Sequence, residues 1–361
     1  MNLTGFGLYR YSLPLHGPLA LRGTTLRRRE GILLRLSGDD GSEGWGETAP
    51  LPGFSKESLE EAALQLRRLT GALIGREVTD DWTGQDWSLG REIESIAPPP
   101  SVRFGLELAV WNLSATTLGK TLPQLVTPQP RAKVPVNGLL SGTPDRILED
   151  ARRMRNAGYR AVKLKVGMKT VVEDIRLVRT LVEELGSGIS LRLDANRAWG
   201  YEEAARFVRG APRFEYVEEP LADPARLPEL AEELGVPVAL DESLVGMEPD
   251  ELGEHGYARA IVLKPTLLGG VSRTLRMAER ALRLGMTPVV SSSYESGVGM
   301  AALVALAAGI GDHPVPAGLD TYRALAEDVL DTPLALPAPS VDVAQTAEAS
   351  RAVDVGKLQQ L

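Results

Sequence analysis

A repeating rhythm constrains this 361-residue chain more than any other feature. From Val134 onward, short runs rich in aliphatic and β-branched residues end in polar residues, and each is followed by a helical pattern before the next begins. The runs are VPVNGLL (134–140), VKLKVG (162–167), LRLDAN (191–196), YVEEP (216–220), VALDES (238–243), IVLKP (261–265), TPVVSSS (287–293) and VPAGLD (315–320). The stretches between them carry helix start and stop signals. Thr143-Pro144-Asp145 reads as N-cap, N1 and N2, with Ile147, Ala151 and Met154 following at helical spacing. Gly158 and Gly186 stand where helix C-termini need a left-handed residue. Strands alternating with helices pair in parallel through right-handed crossovers. Eight such units close into a barrel whose active site lies at the C-terminal strand ends. The structural rival is an open doubly wound sheet, but eight units is long for it and no G-x-G-x-x-G follows the first strand.

Residues 1–98 have a different texture. GLYRYSLPL and GILLRLSG read as antiparallel strands, GWGETAPLPGFS (44–55) as a turn-rich loop, and SLEEAALQLRRLTGAL as a helix. The region closes near Ala97-Pro98-Pro99-Pro100, and a helix over 102–116, carrying Phe104, Leu108, Val110 and Trp111, leads onward. The expectation is an α/β chain: a (β/α)8 TIM-type barrel over 99–320 with an N-terminal α+β capping domain over 1–98. The Ala- and Pro-rich tail 321–361 is expected to pack back on the N-terminal region.

Composition narrows the function classes. An apolar fraction of 43% supports a large core and excludes disordered and fibrous classes. A net charge of −8 without a long basic run argues against nucleic-acid or anionic-membrane partners. With no cysteine there are no disulfides, thiolate metal sites or cysteine nucleophiles, which fits a reducing compartment. The first fifteen residues lack the basic and apolar regions of a secretory signal, and the nearly apolar stretch 300–310 is too short to span a bilayer. His16, His255 and His313 are scattered and have no zinc-site spacing. A cytoplasmic enzyme acting on a small molecule is expected.

The strand ends supply the chemistry. In order they carry Lys163 and Lys165, Asp194, Glu218 with Glu219, Asp241 with Glu242, then Lys264. Carboxylates from three successive strands would repel one another unless a cation joined them. A hard divalent ion with oxygen ligands, Mg²⁺ with Mn²⁺ as a substitute, resolves this on Asp194, Glu218 and Asp241. Lys163 and Lys165 are two apart and face the same side. Strands two and six lie opposite in a ring of eight, so Lys165 and Lys264 face each other. A lysine near a bound cation and a second ammonium has its neutral form favoured and can act as a base beside a substrate carboxylate. The alternative is a structural ion pair with the metal carboxylates, most weighty for Lys163. Asn196 and Glu242 are expected to orient the ligands.

These motifs carry a resemblance that spans nearly the whole chain. GWGETAPLPGFS, VKLKVG, LRLDANRAW (191–199), VEEP (217–220), LDES (240–243), VLKPTLLGG (262–270), SSSYES (291–296) and GLDT (318–321) resemble the enolase superfamily. The match is to its muconate-lactonizing-enzyme-like branch with the K-x-K base motif, and within it most closely to the o-succinylbenzoate synthase family. The resemblance implies Mg²⁺-dependent syn-dehydration of 2-succinyl-6-hydroxy-2,4-cyclohexadiene-1-carboxylate to 2-succinylbenzoate in menaquinone biosynthesis. It implies Asp194, Glu218 and Asp241 as metal ligands, Lys165 as base and then acid, and Lys264 as the charge that stabilises the enediolate. It places Lys163 with the substrate-binding set, and the backbone amides of Ser291 and Gly318 on the succinyl carboxylate. Loops at 19–29 and 51–55 would close over the substrate. Racemisation of N-succinyl amino acids or epimerisation of dipeptides is the enzymatic alternative, and a non-catalytic barrel the alternative of another class.

Two further features are expected to be bland. Gly269-Gly270 reads as a loop before a helix capped by Ser272 rather than as an anion cradle. Arg27-Arg28-Arg29 reads as a solvated run, of which one residue could meet an anionic substrate.

Overall fold

A computed structural model describes residues 1–21, 23–78 and 96–361. Residue 22 of the expected 19–29 loop, and 79–95 of the expected capping region, lie outside the described residues.

The N-terminal strands β1 (Leu3–Leu21), β2 (Thr24–Gly38) and β3 (Glu43–Thr48) form an antiparallel sheet. The segment 19–29 is not a free loop, because Leu19, Ala20 and Leu21 pair with Leu26, Thr25 and Thr24 at the tip of the β1–β2 hairpin. GWGET is likewise a strand rather than a turn. Its glycines serve packing: a Cβ on Gly44 would lie 2.2 Å from the Leu113 amide nitrogen, and one on Gly46 1.9 Å from the Gly105 carbonyl oxygen. Only a bare backbone lets the helix Pro100–Thr117 lie this close to β3.

Two helices cover one face of this sheet. Leu59–Gly71 starts at a capping box of Ser58 and Glu61. Its Ala62, Leu66 and Leu69 join Leu8, Ile32, Leu34 and Leu36 of the strands in one apolar cluster. Pro100–Thr117 is buried on every side: Leu106, Ala109 and Leu113 belong to that cluster, while Phe104, Leu108 and Trp111 face a second one shared with Tyr11, Leu33, Val298 and Leu303. With apolar residues on two faces and the Arg103–Glu107 pair buried between turns, this helix is wedged between cap and barrel.

The parallel sheet runs in order through β5 (Gly138–Leu140), β6 (Ala161–Lys165), β7 (Ser190–Asp194), β8 (Tyr216–Glu218), β9 (Val238–Leu240), β10 (Ala258–Leu263) and β11 (Thr287–Val290). The eighth run closes the ring through single bridges, Ala317 to Val136 and Gly318 to Ser291. The first run divides. Its opening residues form β4 (Lys133–Pro135), which pairs with β12 (Ser340–Asp342) of the tail, and only its second half joins the barrel. The tail then adds β13 (Gln359–Gln360) to the edge of β1. The helix signals behave as read: Thr143 caps Pro144–Ala157, Gly158 ends it at φ 89°, and Gly186 ends Val171–Leu185 at φ 68°.

Period two along the strands sorts the side chains. Leu164, Leu193, Val217, Leu240, Ile261 and Leu263 point outward into the core shared with the helices. Tyr216, Ala239, Ala260, Val262 and Val289 pack together as a separate cluster. Arg192 is also fully buried, with Nη1 on Asn137 Oδ1 at 3.0 Å and on the Pro316 carbonyl at 2.6 Å, and Nε on Glu215 at 3.0 Å. The next position on its side of β7 is Asp194, at the strand end. Among the described residues no helix is long and apolar enough to cross a membrane; the apolar stretch 300–310 lies mostly within the buried helix Gly297–Gly309.

Candidate active site

The barrel register lines up the polar strand ends: Lys165 is opposite Asp194, and Asp194 opposite Glu218. Lys163, Lys165, Asp194, Asn196, Lys264, Ser291 and Gly318 all line one cavity of about 300 Å³. Glu218 and Asp241 are buried beside it, reached through the two lysines. Lys163 Nζ lies 2.8 Å from Asp194 Oδ2 and 2.5 Å from Glu218 Oε2, and Lys264 Nζ lies 2.5 Å from Asp241 Oδ2. Lys163 therefore makes the ion pair that was its alternative reading. Lys165, on the same strand, is exposed to the cavity and makes no hydrogen bond or ion pair among the described residues.

The charges do not balance locally. Burial opposes the charge of Lys163, but Asp194, Glu218 and Asp241 outweigh it and hold its ammonium well above the usual lysine range. For Lys264 burial acts in the same way, and Asp241 and Asp194 overcome both it and the repulsion of Lys163 to raise it. One ammonium cannot serve two buried carboxylates equally. Asp194 faces three lysines and is held low despite burial. Glu218 is pushed up to about 8 by burial, with Asp194 and Asp241 adding to the rise against Lys163. Glu242 is raised by burial and by Asp241 and Asp194.

This pattern tests the fit of a metal. The donors at consecutive strand ends are carboxylate oxygens, the chemistry a hard divalent ion takes, and a cation among them would offset the burial and the mutual repulsion that raise Glu218. Among the described residues no three such groups are drawn around one point, since the lysine ammonium groups occupy the inner carboxylate faces. The donor set fits a divalent ion that would take over oxygens now held by Lys163 and Lys264.

Several partners hold these groups in place. Asn196 Nδ2 donates to Glu242 Oε1 at 3.3 Å, and its amide to Asp194 Oδ1 at 3.1 Å. Glu219, which sequence reasoning noted without giving it a task, is fully buried. Its Oε1 accepts from the amides of Asp241 at 3.1 Å and Ser243 at 2.7 Å, and its Oε2 from Arg197 Nε at 2.9 Å. The doubled glutamate was the available signal: on a period-two strand one of the pair must face away from the cavity. Asn196, Arg197, Glu219 and Tyr294 all have φ between 37° and 63°, left-handed backbone gathered at the strand ends.

One expectation is corrected. The amides of Ser291 and Gly318 are already donated, to the Leu263 carbonyl at 2.8 Å and the Val290 carbonyl at 2.8 Å. The barrel ladder uses these donors, so they are not available to a carboxylate. Both residues still line the cavity, and they pack tightly: a Cβ on Gly318 would come 2.4 Å from Ser291 Oγ. From the cap, Leu19, Ala20 and Leu21 of the hairpin tip and Leu51 and Phe54 of the 51–55 turn line the same cavity. Ser272 is not the cap expected for the helix after the Gly269-Gly270 loop. Gly270 caps Val271–Arg283, and the chain's own Glu107 accepts the Ser272 amide at 2.9 Å.

Comparison with known proteins agrees with this geometry. A family model described as Enolase C-terminal domain-like matches residues 146–347, and one described as MenC, N-terminal domain matches residues 4–113. The chain is 34% identical over 344 residues to the o-succinylbenzoate synthase of Pasteurella multocida, with 93% of each chain covered. It is 36% identical over 338 residues to that of Yersinia pseudotuberculosis, covering 91% of this chain and 95% of the relative. Its fold is similar to muconate lactonizing enzyme from Pseudomonas fluorescens, with a TM-score of 0.86 at 24% identity over 99% of this chain and 98% of that one. Coverage of more than nine-tenths of each chain at this identity, on a barrel whose strand ends carry the K-x-K, D-x-N, E-E-P, D-E and K-P residues, places the chain in the o-succinylbenzoate synthase family of the enolase superfamily.

Proposed function

We propose that this protein dehydrates 2-succinyl-6-hydroxy-2,4-cyclohexadiene-1-carboxylate to 2-succinylbenzoate, a step of menaquinone biosynthesis, in the cytoplasm. The enzymes of the superfamily depend on a divalent metal; here we assign Mg²⁺ to Asp194, Glu218 and Asp241. When bound, the ion supplies Lewis-acid stabilisation of negative charge on the substrate carboxylate. Lys165 takes the α-proton and returns a proton to the departing hydroxyl on the same face. Lys264 offers a fixed positive charge to the enediolate. Asn196 and Glu219 hold Asp194 and Asp241 in place. Leu19, Leu51 and Phe54 shield the reacting carbon from water, and Ser291 and Gly318 shape the wall for the succinyl arm. Aromatisation drives the reaction, so these residues need only ease proton removal and keep the geometry.

The observation that carries this reading is the likeness to o-succinylbenzoate synthases, 34–36% identical over more than 90% of this chain, on a barrel whose strand ends bring these acids and lysines together. Lys165 and Lys264 both line the cavity, Lys264 beside Asp241. Racemisation would use both lysines as proton carriers, whereas syn-dehydration needs only Lys165. The test is to compare, with Mg²⁺, the rate of dehydration of the cyclohexadiene acid with racemisation of an N-succinyl amino acid. Dehydration should dominate, chelation should abolish it, and added Mg²⁺ should restore it. Racemisation at a rival rate would overturn the single function, and full activity after exhaustive chelation would overturn the metal assignment.

A further inference from the structure

Arg29 does not behave as one of a solvated run. On β2 its neighbours Arg27 and Arg28 are exposed, but Arg29 is only 1% exposed. A guanidinium has five N–H donors in a rigid fork. Here all five meet carbonyl oxygens. Nε donates to Tyr294 at 3.0 Å, Nη1 to Glu30 at 3.0 Å and Pro50 at 2.8 Å, and Nη2 to Ala49 at 2.5 Å and Ser293 at 3.3 Å. No carboxylate forms a salt bridge with it among the described residues. With every donor in use it has nothing left for a substrate anion, so the expectation that one of this run meets the substrate is not met at Arg29.

Four of its five acceptors belong to, or lead into, two segments that line the cavity. Ala49 and Pro50 lead into the turn whose Leu51 and Phe54 face the cavity. That turn is closed on itself, with the Phe54 and Ser55 amides on the Leu51 carbonyl at 3.0 and 2.8 Å, and it puts the Phe54 ring 6.0 Å from Lys264 Nζ. Ser293 and Tyr294 belong to the barrel segment after β11, which also lines the cavity and in which Tyr294 takes a left-handed φ of 63°. Burying a full charge among neutral carbonyls is costly as glue, because apolar packing would join two loops with less desolvation. What the guanidinium adds is directional: five bonds at once, in a plane, to segments from both parts of the chain.

We propose that Arg29 is a positioning residue that sets the spacing between the 49–55 turn of the cap and the 293–294 segment of the barrel, and thereby the fit of the substrate against Lys165 and Lys264. The inference rests on the dehydration reading for its kinetic consequence, but not for its structural one. Loss of the fork should loosen both segments together while leaving the base, the opposing ammonium and the metal ligands where they are. KM should rise by at least about tenfold, with kcat falling by no more than about threefold.

The experiment compares Arg29→Met with Glu107→Gln in the full chain. Glu107 also joins the cap side to the barrel, through the Ser272 amide, but does not line the cavity. Steady-state kinetics with Mg²⁺ should show the KM rise in Arg29→Met alone. Amide hydrogen exchange, read without substrate, should show faster exchange in both 49–55 and 291–296 in Arg29→Met and in neither segment in Glu107→Gln. If Arg29→Met does not fold, Arg29→Lys, which keeps the charge but not the fork, is read in the same way. An unchanged KM, an equal rise in Glu107→Gln, or exchange that quickens in only one segment would overturn the proposal. A wild type that exchanges as described but fails to dehydrate would instead count against the proposed function alone.

Discussion

Lys163 and Lys165 share a strand, a face and a charge, yet their surroundings divide their tasks. Lys163 bridges two carboxylates with its side chain 15% exposed, whereas Lys165 stands unpaired at the cavity. A proton carrier must reach the substrate, and Lys165 already opens on the cavity at the strand end. Lys165→Ala should therefore lose at least about 10⁴-fold in dehydration, the upper range for acid–base groups, with the melting temperature nearly unchanged. Residual turnover within about tenfold of wild type would move the base elsewhere. Arg29 teaches the same lesson in the opposite direction: its charge is common, but the five carbonyls around it make it particular.

At the scale of elements, the cap shows glycines acting through what touches them. Gly44 and Gly46 resemble turn residues in a string that also contains Pro50, Pro52 and Gly53, yet they sit in β3 beneath the helix Pro100–Thr117. Gly53 does serve a turn, at φ 85°. Gly46→Ala would press a methyl against the Gly105 carbonyl, and backbone can yield only by moving the helix. The expected cost is about 1–3 kcal/mol, the usual range for overpacking. It should appear as a lower urea midpoint at unchanged slope, and an effect under about 0.5 kcal/mol would mean that the helix shifts freely. Glu47 follows in the same strand, buried, accepting from Tyr11 Oη, from the Ser296 amide at 2.8 Å and from the Gly299 amide at 2.7 Å. A strand that carries both the close contact and a polar tie to the helix Gly297–Gly309 sets how the cap sits on the barrel.

Across the whole molecule, buried carboxylates make stability depend on pH in an unusual sense. Burial raises Glu47, Glu107, Asp320 and Asp328, and takes Glu218 from 4.5 to about 8. Each such group holds its proton more tightly folded than unfolded. Between the unfolded and folded values the native state carries the extra protons, so stability falls as pH rises through that window. Asp194 acts in the opposite sense, but below its ordinary 3.8, and the raised Lys163 and Lys264 lose their contribution only above 10.5. With chelator present, the melting temperature should fall from about pH 5 to about pH 8 and then level off. Saturating Mg²⁺ should flatten Glu218's share by supplying positive charge and should raise stability by ligand linkage. A chelated protein more stable at pH 8 than at pH 5 would show that these carboxylates are compensated in the native state.

Much of this was written in local pattern. Eight apolar runs with helices between them require a parallel ring, and a ring of eight brings the ends of its strands to one mouth. Alternation then decides which side chains face inward, so Asp194, Glu218, Asp241 and the lysines on strands two and six could be named from spacing alone. Helix ends such as Thr143, Gly158 and Gly186 were equally plain, because capping depends on residues close in sequence. What the sequence left open depends on residues far apart in it. That Gly44 and Gly46 belong to a strand was settled by a helix some sixty residues later. The Ser291 and Gly318 amides were taken by barrel closure, and Arg29 was drawn inward by carbonyls up to 265 residues away. Backbone donors and acceptors look identical at every position of a sequence, so only tertiary structure decides which of them remain free for a ligand and which hold the walls of the site in place.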